Sequence, residues 1–65
     1  MEGKTSNRPI NIARYQRGMY FKTIDFVVER GEKTFYVNHL SKTTVSSKPF
    51  SNFNEAFEAF AKITL

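Results

Sequence analysis

The chain ends in a helical period. Across residues 50–63, Phe53, Ala56, Phe57, Phe60 and Ile63 recur at spacings of three and four, which puts them on one face of a helix. Asn52 and Glu55 stand in capping-box register, with Ser51 as the alternative cap. Glu55 and Glu58 lie towards the positive end of the helix dipole, and Lys62 lies towards the negative end.

Upstream the period shortens to two. Residues 19–29 are rich in β-branched and aromatic side chains, with Tyr20, Ile24, Phe26 and Val28 on one parity and Phe21, Thr23, Asp25 and Val27 on the other. Arg30-Gly31-Glu32 punctuates this strand, because Gly31 readily takes the positive φ of a tight hairpin. Residues 33–39 alternate again, with Phe35 and Val37 facing one way and Thr34, Tyr36 and Asn38 the other. Leu40-Ser41-Lys42 makes a turn. A third strand over 43–47 is expected to stop at Lys48-Pro49, since proline donates nothing to a ladder. Residues 1–9 are polar and aperiodic, which predicts a disordered arm. Residues 10–17 alternate only briefly and either add an edge strand or lie over the core.

These elements predict an α+β fold, a three-stranded antiparallel meander packed on one face by a C-terminal helix, forming a single domain over residues 10–65. Ile24, Phe26, Val28, Phe35, Val37 and Val45 are the expected sheet contribution to the core, and Phe53, Phe57 and Phe60 the helix contribution. A chain of 65 residues buries a small fraction of its surface, so its seven Phe and three Tyr must supply most of the core.

Charge changes the picture in one respect. Residues 1–17 hold Lys4, Arg8, Arg14 and Arg17 against Glu2, a net +3, whereas residues 18–65 hold six basic and five acidic side chains. A basic arm on a nearly neutral body suits a polyanionic partner, and it equally suits solubility. No cysteine is present to form a disulfide, a thiolate zinc site or a thiol nucleophile. Apolar runs such as Phe26-Val27-Val28 are far too short to span a bilayer, and the first residues lack the apolar segment of a signal peptide, so a cytoplasmic location without membrane attachment is expected.

Candidate catalytic chemistry is sparse. His39 is the only histidine, and it has neither an acidic cluster nor an oriented nucleophile beside it, so it reads as a strand-end residue. Glu55 and Glu58 read as solvated supports of the helix dipole, and Asp25 as a residue awaiting a cross-strand cation. Gly3, Gly18 and Gly31 are too far apart to form a phosphate-binding loop. No cofactor, metal or enzymatic activity is expected.

The outer sheet face is the stronger candidate. Parity displays Phe21, Thr23, Asp25 and Val27, then Thr34, Tyr36 and Asn38, then Thr44, Ser46 and Lys48. Phe21 and Tyr36 are suited to stacking on bases, and Thr34 and Asn38 to hydrogen bonding. Arg8, Arg14, Arg17 and Lys48 are suited to contacting phosphates, with Lys22 available only if strand one twists. The same composition also describes a solvated face, or one covered by Ile10, Ile12 and Tyr15. Over Arg14 to Ile63 the order of elements resembles the small three-stranded-sheet-plus-helix DNA-binding domains, such as the amino-terminal domains of phage integrases and the plant AP2 domains. That resemblance implies a DNA-binding regulator of phage or mobile-element type. The alternative is a module that docks on a host protein through Met19, Phe21, Val27 and Leu40. Exposed strand edges also allow two copies to pair as a homodimer.

Overall fold

A computed structural model describes residues 9–65. The first eight residues of the expected arm, Arg8 among them, lie outside the described residues. Four strands precede one helix: β1 (Ile10–Arg17), β2 (Tyr20–Glu29), β3 (Glu32–Leu40), β4 (Val45–Phe50) and α1 (Phe53–Lys62). The strands form one antiparallel sheet in the order β1-β2-β3-β4, a meander with α1 packed on one face. The α+β class with a C-terminal covering helix is as expected, but the sheet has four strands rather than three. Residues 10–17 pair along β2 instead of lying across it, with a bulge between Asn11 and Ala13.

Each turn follows from its residues. Arg30 (φ 53°) and Gly31 (φ 80°) both occupy left-handed backbone between the paired Glu29 and Glu32, which is the signature of a two-residue type I′ hairpin. Gly18 (φ 64°) opens the β1–β2 turn, which joins the paired Arg17 and Tyr20. The longer β3–β4 turn is closed by the Ser41 amide donating to the Thr44 carbonyl at 2.8 Å. The helix starts where the capping box places it, with the Asn52 side-chain oxygen accepting from the Glu55 amide at 2.9 Å.

Strand β4 corrects the expected third strand. It begins two residues later and runs through Lys48 and Pro49, because an edge strand tolerates a proline whose nitrogen faces solvent. Paired residues of an antiparallel ladder share a face, so the pairs His39–Ser46, Val37–Lys48 and Phe35–Phe50 put Ser46, Lys48 and Phe50 on the helix side. Val45, Ser47 and Pro49 therefore face the uncovered side, and Thr44 lies in the turn. The expected assignment of Thr44, Ser46 and Lys48 to the outer face is overturned. So is that of Val45 to the core, since Val45 is 82% exposed.

The core is small. Ile24, Val37 and Ala56 are buried together, with Ala13, Phe35, Phe50, Ala59, Phe60 and Ile63 packed around them. Phe53 and Phe57 were expected inside but are 43% and 49% exposed. They extend a chain of aromatic contacts that runs Phe26–Phe35–Phe53–Phe57–Phe60, with ring centroids 5.1 to 6.2 Å apart. Val28 is likewise exposed. The cause is geometric: α1 approaches β2, β3 and β4 but not β1. A helix about 10–12 Å across cannot cover four strands spaced about 4.8 Å apart.

Candidate binding face

The sheet surface away from α1 is ordered in cross-strand rows. At the end that holds the β1–β2 and β3–β4 turns, Gln16, Phe21, Leu40 and Val45 stand side by side. The next row is Arg14, Thr23, Asn38 and Ser47, and the third is Asn11, Asp25, Tyr36 and Pro49. Val27 and Thr34 follow towards the β2–β3 hairpin. A hollow of about 740 Å³ spans the first rows, lined by Arg14, Phe21, Thr23, Asp25, Asn38, Leu40 and Val45 among others. A smaller hollow of about 280 Å³ lies further down, against Pro9, Val27, Glu29 and Tyr36.

Asp25 organises the middle of this face. Its two carboxylate oxygens accept from the Asn11 side-chain amide at 3.0 Å and from that of Asn38 at 2.7 Å. The Asn38 amide also donates to the Thr23 hydroxyl at 3.1 Å, and that of Asn11 reaches the Ala13 carbonyl at 3.0 Å. The partner of Asp25 is therefore a pair of amides rather than the cross-strand cation expected from sequence. Because both amide nitrogens turn towards the carboxylate, the Asn11 and Asn38 side-chain oxygens are held in fixed orientations as acceptors.

Charge divides the face. Arg14 and the Lys42 of the β3–β4 turn belong to the end with the larger hollow, whereas Asp25, Glu29 and Glu32 lie from the middle towards the β2–β3 hairpin. The Arg14 guanidinium is braced by the Gln16 side-chain oxygen at 2.7 Å.

The expected binding residues divide accordingly. Arg14, Phe21, Thr34, Tyr36 and Asn38 share the uncovered face. Phe21 and Tyr36 stand four residues apart along the strands, about 13 Å, so they cannot stack on one base but suit two separate ones. Arg17, Lys22 and Lys48 are on the helix side, and the structure does not bring them to this face. Arg17 donates to the Leu65 carbonyl at 3.3 Å. Lys22 donates to the carbonyls of Phe60 and Ile63. Sequence reasoning missed Asn11 as a member of the face, because its placement depends on the β1 pairing.

His39 is also on the helix side, paired with Lys22 and Ser46 across the ladder, and its Nε2 is buried without a hydrogen-bond partner. Among the described residues no group of three or more His, Asp or Glu side chains is arranged to hold a metal ion, and no helix is long and apolar enough to cross a membrane. No protein-family model, curated protein or solved structure matches this chain.

Proposed function

We propose that this is a non-enzymatic binding protein that takes single-stranded nucleic acid on its uncovered sheet face, with the basic N-terminal arm adding phosphate contacts. One observation carries this reading. The larger hollow joins an aromatic ring, a braced guanidinium and a fixed set of amide and carboxylate acceptors, which are the elements needed to stack a base, hold a phosphate and contact a base edge. An open trough accepts unpaired bases more readily than the rigid outside of a duplex does. Phe21 is the stacking residue, Arg14 the phosphate contact, and Asn38 and Tyr36 contact the neighbouring nucleotide.

Fluorescence anisotropy with labelled single-stranded and duplex oligonucleotides tests this directly. Binding is expected to favour the single strand, and to weaken about 5- to 150-fold on Phe21→Ala, since base–aromatic stacking contributes about 1–3 kcal/mol. Lys62→Ala, on the helix, is expected to leave it unchanged. No anisotropy change at low salt with excess protein overturns the proposal.

A docking module for another protein is the second reading, favoured by the exposed Val45, paired with the half-buried Leu40 beside Phe21, and by the acids at the far end of the face. A stoichiometric protein partner that survives nuclease treatment and is lost on Val45→Lys supports it over the first.

A further inference from the structure

Asp25 and Asn38 line both hollows of the uncovered face, and the hydrogens around them are already engaged. The Asn38 amide donates to the Thr23 hydroxyl at 3.1 Å and to Asp25 at 2.7 Å. The Asn11 amide donates to Asp25 at 3.0 Å and to the Ala13 carbonyl at 3.0 Å. The Thr23 hydroxyl turns its own hydrogen towards Asp25 Oδ2 at 3.5 Å. A carboxylate donates nothing, so it fixes both amides with their nitrogens inwards. Asp25 Oδ1 keeps a lone pair beyond its bond to Asn11, and Oδ2 exchanges its long Thr23 contact readily. The cluster therefore meets a ligand with acceptors: the Asp25 carboxylate and the Asn11 and Asn38 side-chain oxygens.

We infer that this cluster makes the face prefer guanine among the bases of a single strand, with the guanine N1–H and N2 amino group donating side by side to the Asp25 carboxylate. The inference rests on the nucleic-acid reading above and adds the base that it selects. Guanine presents two neighbouring donors on its pairing edge. Adenine and cytosine present one donor beside a ring nitrogen that accepts, and thymine or uracil places its one N–H between two carbonyls. Each of these would set an acceptor against an acceptor, whereas paired charge-assisted bonds are the strong ones. Tyr36 is paired directly with Asp25 across the ladder, and the smaller hollow has both in its lining, so a base lying over that ring brings its edge to the carboxylate. Glu29 adds a further acceptor to the same hollow. An arginine of a protein partner would carry two parallel donors as well. Arg14 favours the base, because it stands one row away, about 7 Å along the strands, where it attracts a phosphate and repels a cation.

Fluorescence anisotropy on the whole chain compares thymidine strands of eight nucleotides whose central residue is replaced by guanosine, adenosine, cytidine or inosine. Guanosine is expected to bind at least about fivefold more tightly than thymidine, adenosine or cytidine, the lower end of what a paired base contact contributes. Inosine keeps the N1–H and lacks the amino group, so it is expected to lose most of that gain. Asp25→Asn, which sets a donor where an acceptor stood, is expected to abolish the preference. Each readout is a ratio on one protein, so partial unfolding of the variant does not imitate it, and the inosine comparison needs no variant. Equal binding of the four bases overturns the inference alone, as does a guanine preference that survives either inosine or Asp25→Asn. No binding to any strand overturns the nucleic-acid reading and the inference together. A short arginine peptide that binds more tightly than the guanine strand overturns the inference in favour of a protein partner.

Discussion

The Lys22 ammonium lies 2.8 Å from the Phe60 carbonyl oxygen and 3.0 Å from that of Ile63, so a strand side chain closes the C-terminal end of the helix. It also sits 4.4 Å from the centre of the Phe60 ring. Helix carbonyls near the C-terminus lack intrahelical donors, and a cation placed there satisfies them and opposes the dipole.

Lys22→Met keeps much of the side-chain volume and removes both bonds. Charge-assisted hydrogen bonds contribute about 1.5–3 kcal/mol, and the loss here is expected at about 2 kcal/mol. Urea denaturation followed by circular dichroism reads it. A midpoint within error of the wild type shows that the bonds contribute nothing.

Arg30 holds a φ of 53°, a region disfavoured for residues with a Cβ, whereas Asn adopts it readily. Arg30→Asn is expected to raise stability by about 1 kcal/mol, seen as a higher melting temperature. Gly31→Ala should act in the opposite sense by a similar amount. The added methyl would meet nothing within 4 Å, so that cost is purely conformational.

The unpartnered His39 Nε2 sets up a test with the reverse sign to most core substitutions. His39→Phe retains a ring and removes a buried nitrogen that has lost its water, so the variant is expected to be as stable as the wild type or more stable by about 1 kcal/mol. Thermal melts at neutral pH decide, and destabilisation by more than about 2 kcal/mol contradicts the assigned surroundings.

Ile24 is the largest side chain with no solvent exposure. Ile24→Ala is expected to cost about 2–5 kcal/mol, enough to abolish the cooperative melt of so small a domain at ordinary temperature.

If Arg14 contacts phosphate, Arg14→Ala is expected to weaken oligonucleotide binding and to lower the slope of log affinity against log salt by about 0.7, the single-strand value for one contact. An unchanged slope assigns Arg14 to the fold alone.

The parts of the structure legible in the sequence are those fixed by near neighbours along the chain. Asn52 and Glu55 are three residues apart, and their capping bond forms as the spacing implies. The alternation of β2 and β3 is long enough to fix both their faces, which is why Phe21, Asn38 and Tyr36 are correctly placed. Strand β4 was misread because a side-chain period of two offers no protection against a one-residue slip, and the Leu40–Val45 pairing sets the parity opposite to the one expected. That slip moved Lys48 and Ser46 to the wrong face and put Val45 in the core. Strand β1 was ambiguous because it is mostly exposed and its bulge interrupts the alternation. The division of the Phe stripe between core and solvent depends on which strands α1 overlies, a long-range fact with no local signature.

Pro49 and Lys48 occupy one rim of the sheet, where a strand arriving from outside would meet a missing amide and a charge. The other rim, β1, carries the charges of Arg14 and Arg17 and is bent by its bulge, but holds no proline. Were two molecules to join β1 to β1, both remaining rims would be the proline-bearing ones. Growth by strand addition would then halt at a pair, so this sheet carries within itself a stop against open-ended fibres.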